Sequence, residues 1–244
     1  MFSIFKRKST PQPLFFHTDI HCHIIPGIDD GARNLDESLQ LVDAMADLGF
    51  SRIFASPHIT QGTFENTPDT IAGPFCELRE ALTAKGSPVQ LEHWAENRID
   101  DILYQNVADG KLLSIPGDRV LIENSFMQEP WNLDKLVFDI QVKGYTPILA
   151  HPERYSYYRG RADYLNNLVQ AGLSFQVNLL SLAGQYGPNE KKAAETLIER
   201  GLVRYLGSDI HRMQHVETIK NYLSSKDYDR HRKLLEGKIL NDKI

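Results

Sequence analysis

The chain has few cysteines, no long apolar run and no basic surface signature. Cys22 and Cys76 are its only cysteines, which excludes the disulfide framework of small secreted proteins. No apolar run approaches the roughly 18 residues needed to cross a membrane, and residues 1–5 are too short for a signal peptide. The formal net charge of −5 gives no support for nucleic-acid binding. We therefore expect a soluble cytoplasmic protein without a nucleic-acid partner or a membrane span.

Length and composition favour one globular domain. The 244 residues are 41% hydrophobic and 24% charged, and single α/β barrels commonly reach about 250 residues. Residues 1–13, with the basic cluster Lys6-Arg7-Lys8, are expected to form a flexible leader before one domain at 14–244. Strands are predicted at residues 14–20, 52–56, 89–94, 120–122, 147–150, 174–179 and 203–206. Helices are predicted between Asn34 and Gly49 and at residues 68–85, 100–108, 132–143, 164–171, 189–200 and 215–238.

Strands and helices therefore alternate seven times along the chain. Alternation of this kind predicts a parallel sheet with crossover helices. The strands are continuous apolar runs, as expected when both faces of a sheet are buried. The pattern does not distinguish an open sheet from a closed barrel. No Gly-x-Gly-x-x-Gly follows the first strand, which argues against a dinucleotide-binding sheet.

The first two helices carry recognisable local signals. Asn34 is a candidate N-cap with Glu37 at the capping-box position, and Gly49 predicts the end of the first helix. Pro74 lies inside the second helix and is expected to kink or restart it.

A pair of histidines, His21 and His23, follows the first strand. Residues two apart on an extended strand point to the same side, so both imidazoles can reach one metal ion. The glycines and proline that follow turn the chain, so Asp29 or Asp30 can fold back toward the same ion. A pair of this kind also arises by chance, and Asp-Asp-Gly is often only a turn. Cys22 is expected to point away from the histidines.

Six of the seven predicted strands end in a residue type that binds metals. These residues are His21, His23, His58, Glu96, Glu123, His151, Asp209 and His211. The carboxyl ends of barrel strands form one rim, where active sites lie, so we expect these side chains to converge. With Asp30 they supply nine ligands, more than the about four to six that one ion needs. Histidine and carboxylate suit Zn, Mn or Fe, and multinuclear sites commonly hydrolyse phosphate esters.

These signatures resemble the PHP (polymerase and histidinol phosphatase) metallohydrolases. More closely, they resemble the bacterial protein-tyrosine phosphatases of that superfamily that are associated with capsule and exopolysaccharide gene clusters. The resemblance covers residues 18–211. Its motifs are Asp19-Ile20-His21-Cys22-His23 with the turn to Gly31, Ser56-Pro57-His58, Glu96, Leu121-Ile122-Glu123, Lys143-Gly144-Tyr145, Ala150-His151-Pro152-Glu153-Arg154 and Ser208-Asp209-Ile210-His211.

The resemblance implies a distorted (β/α)7 TIM-like barrel of the PHP type. It implies roughly two or three divalent ions, Mn or Fe or else Zn, held by the nine residues, with Glu96 as the candidate bridging ligand. It also implies that a metal-activated hydroxide hydrolyses phosphotyrosine without a covalent enzyme intermediate. Neither cysteine is followed six residues later by arginine, so the phosphate loop of thiol-dependent phosphatases is absent. A tyrosine kinase of exopolysaccharide synthesis is the implied partner; the oligomeric state is left open.

Catalytic and substrate-binding roles follow from the same resemblance. Arg154 is expected to clamp the phosphate. Either Asp209, which is also a ligand, or a metal-bound water is the candidate proton donor, and the sequence does not choose between them. Arg98 and Arg212 are further candidate substrate contacts, although the family usually places its second phosphate-facing arginine a few residues further on. Phe126, Trp131, Tyr155, Tyr157 and Tyr158 are candidate aromatic contacts.

Three other functions are compatible with the pattern. Another PHP activity, such as histidinol phosphate hydrolysis or a polymerase-type exonuclease, would use the same ligands, but an exonuclease should have a basic groove. A non-catalytic scaffold that binds a tyrosine kinase would have no need for nine clustered ligands.

Overall fold

The computed structural model describes residues 11–244, so Lys6-Arg7-Lys8 and most of the predicted leader lie outside the described residues. Within that range no helix is long and apolar enough to cross a membrane. Gln12, the middle residue of 11–13, donates its backbone N–H to the Leu223 carbonyl (3.1 Å). The strands are β1 Thr18–Asp19, β2 Arg52–Ala55, β3 His58–Ile59, β4 Gln90–His93, β5 Glu96–Arg98, β6 Arg119–Glu123, β7 Thr146–Ala150, β8 Ser174–Asn178 and β9 Val203–Gly207. The helices are α1 Leu35–Leu48, α2 Pro68–Lys85, α3 Asp101–Asp109, α4 Leu133–Val142, α5 Ala162–Gln170, α6 Leu179–Ala183, α7 Pro188–Glu199, α8 Met213–Leu223 and α9 Lys226–Leu235.

The ends of α1 follow the sequence signals in part. The Asn34 side chain accepts a hydrogen bond from the Glu37 backbone N–H (3.0 Å), and Gly49 ends the helix in the left-handed region. Both predictions are confirmed. The capping-box prediction for Glu37 is wrong, because its carboxylate accepts hydrogen bonds from the backbone N–H and the guanidinium of Arg33 instead.

The second helix does not restart at its internal proline. α2 continues through Pro74, which removes one backbone donor. The helix is held by its buried face, since one side of it packs into the hydrophobic core. That face consists of Ile71, Phe75, Leu78 and Leu82.

All strand pairings are parallel, and the strands fall into two sheets. One sheet has the order β1-β2-β4 and the other β3-β5-β6-β7-β8-β9. β3 continues β2 after Pro57, which has no N–H to donate to the ladder, and β5 continues β4 after a break at Trp94 and Ala95. All seven predicted strands are therefore present, and two of them are each divided into two by a short break.

The first strand is much shorter than predicted. Only Thr18 and Asp19 pair with β2, whereas the prediction began at Leu14. The backbone N–H of His17 is bonded to the Asp242 carboxylate (2.9 Å) rather than to a neighbouring strand. Leu14 is buried in the core outside the strands, so its hydrophobicity reflects packing rather than strand pairing.

Hydrogen bonds join the two sheets between β9 and β1. Near the carboxyl ends, Cys22 and Ile210 form a parallel bridge, and the His23 N–H donates to the Ile210 carbonyl (2.9 Å). Further from the mouth, at the amino end of β1, the strands are linked through the Asn241 side chain. Its amide donates to the carbonyls of Thr18 (2.9 Å) and Leu206 (2.7 Å), and its oxygen accepts from the Leu206 N–H (3.0 Å).

Two separate apolar clusters pack against the strands, one on the outside and one on the inside. The larger lies between the strands and the helices. The smaller lies inside the ring that the strands form, and most of the seven strands or their flanking residues contribute one or two side chains to it. Its members are Ile20, Phe54, Trp94, Ile115, Leu121, Ile148, Ala150 and Tyr205. Inner and outer layers of this kind are characteristic of α/β barrels. The predicted α/β barrel fold is confirmed.

Candidate metal centre

The carboxyl ends of the strands surround a cavity of about 480 Å³. It lies where the sequence placed the rim. His151 and Asp209 follow β7 and β9, whereas His58 and Glu96 are the first residues of β3 and β5, just after the breaks that separate these strands from β2 and β4. Seven of the nine predicted ligands line it, and His21 and His23 are fully buried beside them. The seven are Asp30, His58, Glu96, Glu123, His151, Asp209 and His211.

His21 and His23 point the same ring nitrogen at one carboxylate. Their Nε2 atoms lie 3.2 Å and 3.4 Å from Glu96 Oε2. Their Nδ1 atoms lie 2.7 Å from Gln176 Oε1 and 2.9 Å from Asp29 Oδ2. Because these oxygens can only accept, each Nδ1 donates its proton to them, and each Nε2 is the ring nitrogen that faces the centre.

Glu96 lies at the middle of the cluster. Its Oε2 is 3.1 Å from His58 Nδ1, and its Oε1 is 3.0 Å from His151 Nε2. His151 Nε2 is also 3.8 Å from Glu123 Oε1. With His21 and His23 on the Oε2 side as well, the two oxygens of Glu96 face different sets of histidines.

Asp30 lies at the solvent side of the cluster. Its Oδ1 is 3.5 Å from His58 Nε2 and 3.3 Å from His211 Nε2. The side chain of Asp30 is 55% exposed, whereas both histidines are mostly buried. The turn after His23 therefore brings Asp30 back to the mouth, while Asp29 remains inside as the partner of His23.

Several buried polar atoms of this cluster have no hydrogen-bond partner within residues 11–244. They are His21 Nε2, His23 Nε2, His58 Nδ1, His151 Nδ1 and Glu96 Oε2. Leaving a buried polar group unpaired costs about 1–3 kcal/mol, so native proteins rarely do so without a reason. Imidazole lone pairs that converge on a carboxylate are a donor set that fits divalent metal ions.

The donor atoms form overlapping groups, each able to hold a metal ion. Within each group the atoms lie within 4.8 Å of one another. The groups are His23, Asp30, His58 and His211; His21, His23 and Glu96; His21, His151 and Asp209; and His58, Glu96 and Glu123. All nine predicted ligands occur in them, drawn from positions nearly two hundred residues apart.

The pKa values of the cluster are strongly shifted in opposite directions. Burial and the nearby Glu96 carboxylate raise the pKa of Glu123 to about 8. Burial alone would lower the pKa of His21, but Glu96 and Asp209 raise it to about 9. Burial lowers the pKa of His151 to about 4. Opposed shifts among neighbouring buried groups are typical of functional sites.

The Asp209 carboxylate is held by three donors. Its Oδ2 accepts hydrogen bonds from Arg154 (3.0 Å), Asn178 (2.6 Å) and Tyr186 (3.1 Å). Its Oδ1 lies 3.6 Å from Nε2 of each histidine that follows β1. Burial alone would raise its pKa, but the nearby histidines and Arg154 hold that pKa far below the ordinary value. This favours Asp209 as an ionised ligand and disfavours it as a proton donor.

Two of these residues have a left-handed backbone conformation. His151 has φ 33° and Asp209 has φ 53°. A non-glycine residue in this region is strained by roughly 1–3 kcal/mol, and such strain clusters at active sites. The turns after β7 and β9 therefore direct these two side chains into the mouth at a cost in backbone energy.

The three predicted substrate arginines all line the cavity but differ in their contacts. The Arg154 guanidinium lies between the rings of Phe126 (4.8 Å) and Tyr186 (4.1 Å). Arg98 donates to Glu123 Oε2 (2.8 Å), so part of its charge is already balanced. Arg212 is exposed at the mouth and has no ion-pair partner among the described residues.

Only one of the five predicted aromatic contacts lines the cavity. Phe126 does so and stacks on His151, with ring centroids 5.8 Å apart. Tyr155 and Tyr158 are buried and Tyr157 is partly buried, because their hydroxyls bond the loop after β6. Trp131 is 93% exposed.

Sequence reasoning missed three residues that hold the ligands in place: Gln176, Asn178 and Tyr186. Asp29, which the sequence offered beside Asp30 as a candidate ligand, instead accepts a hydrogen bond from His23 Nδ1. A signal existed for Gln176 and Asn178, which end β8, the one predicted strand without a metal-ligand residue. They lie two apart at a strand end, as His21 and His23 do, and Gln176 donates to Asn178 Oδ1 (2.7 Å). No local signal identifies Tyr186, which follows α6.

The chain resembles bacterial proteins named as tyrosine phosphatases over most of its length. It is 34% identical to the tyrosine-protein phosphatase YwqE of Bacillus subtilis over 197 residues, which is 80% of this chain and 78% of the relative. It is 24% identical to the tyrosine-protein phosphatase CpsB of Streptococcus agalactiae over 201 residues, 80% of this chain and 83% of the relative.

Solved structures share the fold. One, from work on YwqE of Bacillus subtilis and CpsB of Streptococcus pneumoniae as metal-dependent tyrosine phosphatases, matches with a TM-score of 0.79 and 31% identity over 93% of this chain and 94% of the other. The histidinol phosphate phosphatase of Lactococcus lactis matches with a TM-score of 0.50 and 13% identity over 90% of this chain and 94% of the other, which shows the fold alone. The family model described as capsular polysaccharide synthesis, CpsB/CapC, matches residues 17–229. The chain therefore belongs to the CpsB/CapC family.

Proposed function

We propose that this chain is a metal-dependent protein-tyrosine phosphatase that hydrolyses phosphotyrosine at a trinuclear centre. The observation that carries the proposal is the set of nine converging ligand-type side chains, whose buried nitrogens and carboxylate oxygen lack partners within the protein. The relatives named above as tyrosine phosphatases support the substrate class.

The nine ligands suffice for about three ions, with Glu96 as the shared ligand. His21, His23, Glu96 and Asp209 would hold the innermost ion. Glu96, Glu123 and His151 would hold a second, since His151 Nε2 lies 3.0 Å from Glu96 and 3.8 Å from Glu123. Asp30, His58 and His211 would hold a third nearer the solvent. When bound, such ions supply Lewis acidity and make water nucleophilic near neutral pH. Mn or Fe suits the histidine and carboxylate donors, and Zn is compatible with them.

Arg154 is the residue that would bind the phosphate oxygens. Its guanidinium is fixed between Phe126 and Tyr186, and Asp209 holds one of its amino groups. The remaining N–H groups are available to a phosphate at the mouth, where a planar fork can bind two oxygens at once. Arg212, exposed at the same mouth, would attract the anion without fixing its position.

The phenolate of tyrosine is a fair leaving group because its acid has a pKa of about 10. A strong general acid is therefore less necessary than for an alkyl phosphate. Asp209 is poorly suited to donate the proton, because three donors and the neighbouring histidines keep it ionised. Phe126 at the cavity wall would pack against the substrate ring.

The chain's own thiols do not take part in this chemistry. Cys22 is fully buried, and burial raises the pKa of its thiol well above the ordinary value. No arginine follows either cysteine at the spacing that thiol-dependent phosphatases require. We propose a tyrosine kinase of capsule or exopolysaccharide synthesis as the phosphoprotein, which agrees with the family description, and a cytoplasmic site of action.

Phosphotyrosine-peptide hydrolysis by the metal-loaded protein tests the proposal. We expect turnover that a chelator abolishes and that His21→Ala removes. His17→Ala, at an exposed histidine near the amino end of β1, is the matched control and should keep full activity. Metal analysis should show more than one ion per chain.

Two results would contradict the proposal. Hydrolysis of histidinol phosphate without hydrolysis of phosphotyrosine peptides would indicate a different phosphoesterase. No turnover of either substrate, with less than one tightly bound ion per chain, would indicate a non-catalytic scaffold.

A further inference from the structure

Exposed apolar side chains are concentrated in one stretch of the chain that begins beside the mouth. Of the six large hydrophobic residues exposed in the described chain, five lie between residues 126 and 142. Met127 is 90% exposed and Trp131 is 93% exposed. Exposed apolar patches on a protein surface commonly mark interaction sites, whereas single exposed residues need no explanation.

The loop that carries Met127 and Trp131 is held in place on both sides. The Tyr157 hydroxyl donates to the Ser125 carbonyl (2.7 Å), and the Tyr104 hydroxyl donates to Asn132 Oδ1 (2.6 Å). Between them, Arg161 forms an ion pair with Glu129. The two side chains are therefore presented to solvent by an anchored loop.

Helix α4 continues the apolar surface. Its inner side is buried through Leu133, Leu136, Val137 and Ile140. Phe138 and Val142, one turn apart, are 63% and 66% exposed on the outer side. Lys135 and Asp139 pair with each other on the same helix, so they add no net charge there. We name Met127, Trp131, Phe138 and Val142 the α4 face.

The α4 face begins at the active-site cavity. Phe126 precedes Met127 directly, lines the cavity and contacts both His151 and Arg154. Phe126 thus forms part of the cavity wall, whereas Met127, the next residue, faces outward. From there α4 runs down the outside of the barrel for roughly 15 Å.

We propose that the α4 face binds apolar residues of the polypeptide that carries the phosphotyrosine. This inference rests on the proposed function, since a phosphoprotein must lay the residues beside its phosphotyrosine on the surface around the mouth. Continuity through Phe126 favours the substrate over a second copy of this chain. A stretch of 15 Å corresponds to roughly five extended residues, so the recognised segment is short. The polypeptide would contribute aliphatic or aromatic side chains rather than charged ones.

Peptide selectivity tests the proposal with three probes. They are p-nitrophenyl phosphate and two phosphotyrosine peptides of equal length, one flanked by leucines and one by serines. For the unmodified protein we expect kcat/KM about tenfold higher for the leucine peptide, the effect of partly burying one or two side chains. The triple variant Met127→Ser, Trp131→Ser, Phe138→Ser should lose this preference and keep its activity on p-nitrophenyl phosphate. The matched variant with leucine at the three positions should retain the preference.

The outcomes separate this inference from the proposed function. Failure of the unmodified protein to hydrolyse any probe would contradict the proposed function itself. Hydrolysis of all three probes with the same peptide preference in the serine variant would overturn the docking role alone. If instead sedimentation shows that the serine variant converts a dimer to a monomer without changing peptide preference, the α4 face belongs to a second copy and the proposal is wrong.

Discussion

The seam between β9 and β1 is closed in different ways at its two ends. At the mouth, the backbones are adjacent and bond directly, through Cys22 and Ile210 and from the Asp209 N–H to the His21 carbonyl (2.7 Å). At the opposite end, which we call the floor, the Asn241 side chain supplies the links. Because backbone atoms close the seam at the mouth, the side chains there are free for chemistry. At the floor, the Asn241 side chain itself closes the seam.

This difference predicts that the two ends respond to mutation in different observables. Substitutions at the mouth should change catalysis and leave the apo fold stable, because the clustered side chains there are not needed to hold the strands together. Substitutions at the floor should change the free energy of unfolding and leave the kinetics alone.

The largest expected effect is from Asp209→Asn at the mouth. The amide keeps the shape and tolerates the left-handed backbone, but it removes the charge that the proposed metal centre would use. We expect kcat/KM on phosphotyrosine peptides to fall by about 10³-fold or more, since each such ligand is worth several kcal/mol. Asp242→Asn at the floor is the same substitution and should change kcat/KM by less than about twofold. Similar losses from both variants would contradict the comparison.

Asn241→Ala should have the largest effect on stability. It removes three hydrogen bonds and leaves buried backbone groups of Thr18 and Leu206 unpaired. We expect the free energy of unfolding in urea to fall by about 3 kcal/mol. Asn167→Ala, at an exposed position of α5, should change it by less than about 0.5 kcal/mol. A stable Asn241→Ala protein with impaired kinetics would reverse the roles assigned to the two ends.

Arg154→Lys should lower activity without lowering stability, as expected of a residue at the mouth. Lysine keeps the charge but loses the planar fork and its stacking between two rings, so kcat/KM should fall by about 10²-fold. The urea midpoint should stay unchanged. Arg159→Lys, at an arginine that pairs with Glu190, is the control and should leave activity intact. Full activity of Arg154→Lys would mean that point charge alone suffices.

Tyr186→Phe should have the smallest effect of the four. The ring that stacks on Arg154 remains, and only the hydroxyl bond to Asp209 Oδ2 is lost. We expect kcat/KM for p-nitrophenyl phosphate to fall by about tenfold, the low end of the effect of losing one hydrogen bond to a charged group. Tyr186→Leu removes the ring as well and should lose more. Equal losses from both variants would show that only the hydroxyl matters.

Local sequence signals predicted the elements that depend on local physics. The N-cap at Asn34 and the limits of α2 follow from nearby residues alone. The interrupted strand after Ala55 depends on Pro57 and on pairing with β5, a partner distant in sequence. Leu14 looks like a strand residue because it is apolar, but it is buried in the core without belonging to a strand.

Most of the candidate ligands could be located from sequence because they lie at or just beyond the ends of the predicted strands, a topological position that periodicity identifies. Asp30 is the exception, since it was found from the turn that follows His23. Their supporting residues could not, because a partner such as Tyr186 reaches Asp209 through tertiary structure. Asp29 and Asp30 are adjacent, and only the folded turn decides which faces His23 and which faces His58 and His211. The α4 face could not be predicted from the sequence either, because the exposed and the buried apolar residues of α4 are of the same types.

The Asn241 link has a consequence for how the protein is made. Its amide bonds to the Thr18 carbonyl, 223 positions earlier in the chain. During synthesis the first strand therefore emerges from the ribosome long before the residue that completes its seam. Contacts of such sequence separation form slowly because a long loop must close first. The barrel can be completed only after residue 241 has been translated, so a nascent chain stopped before it should remain open at the floor and depend on chaperones.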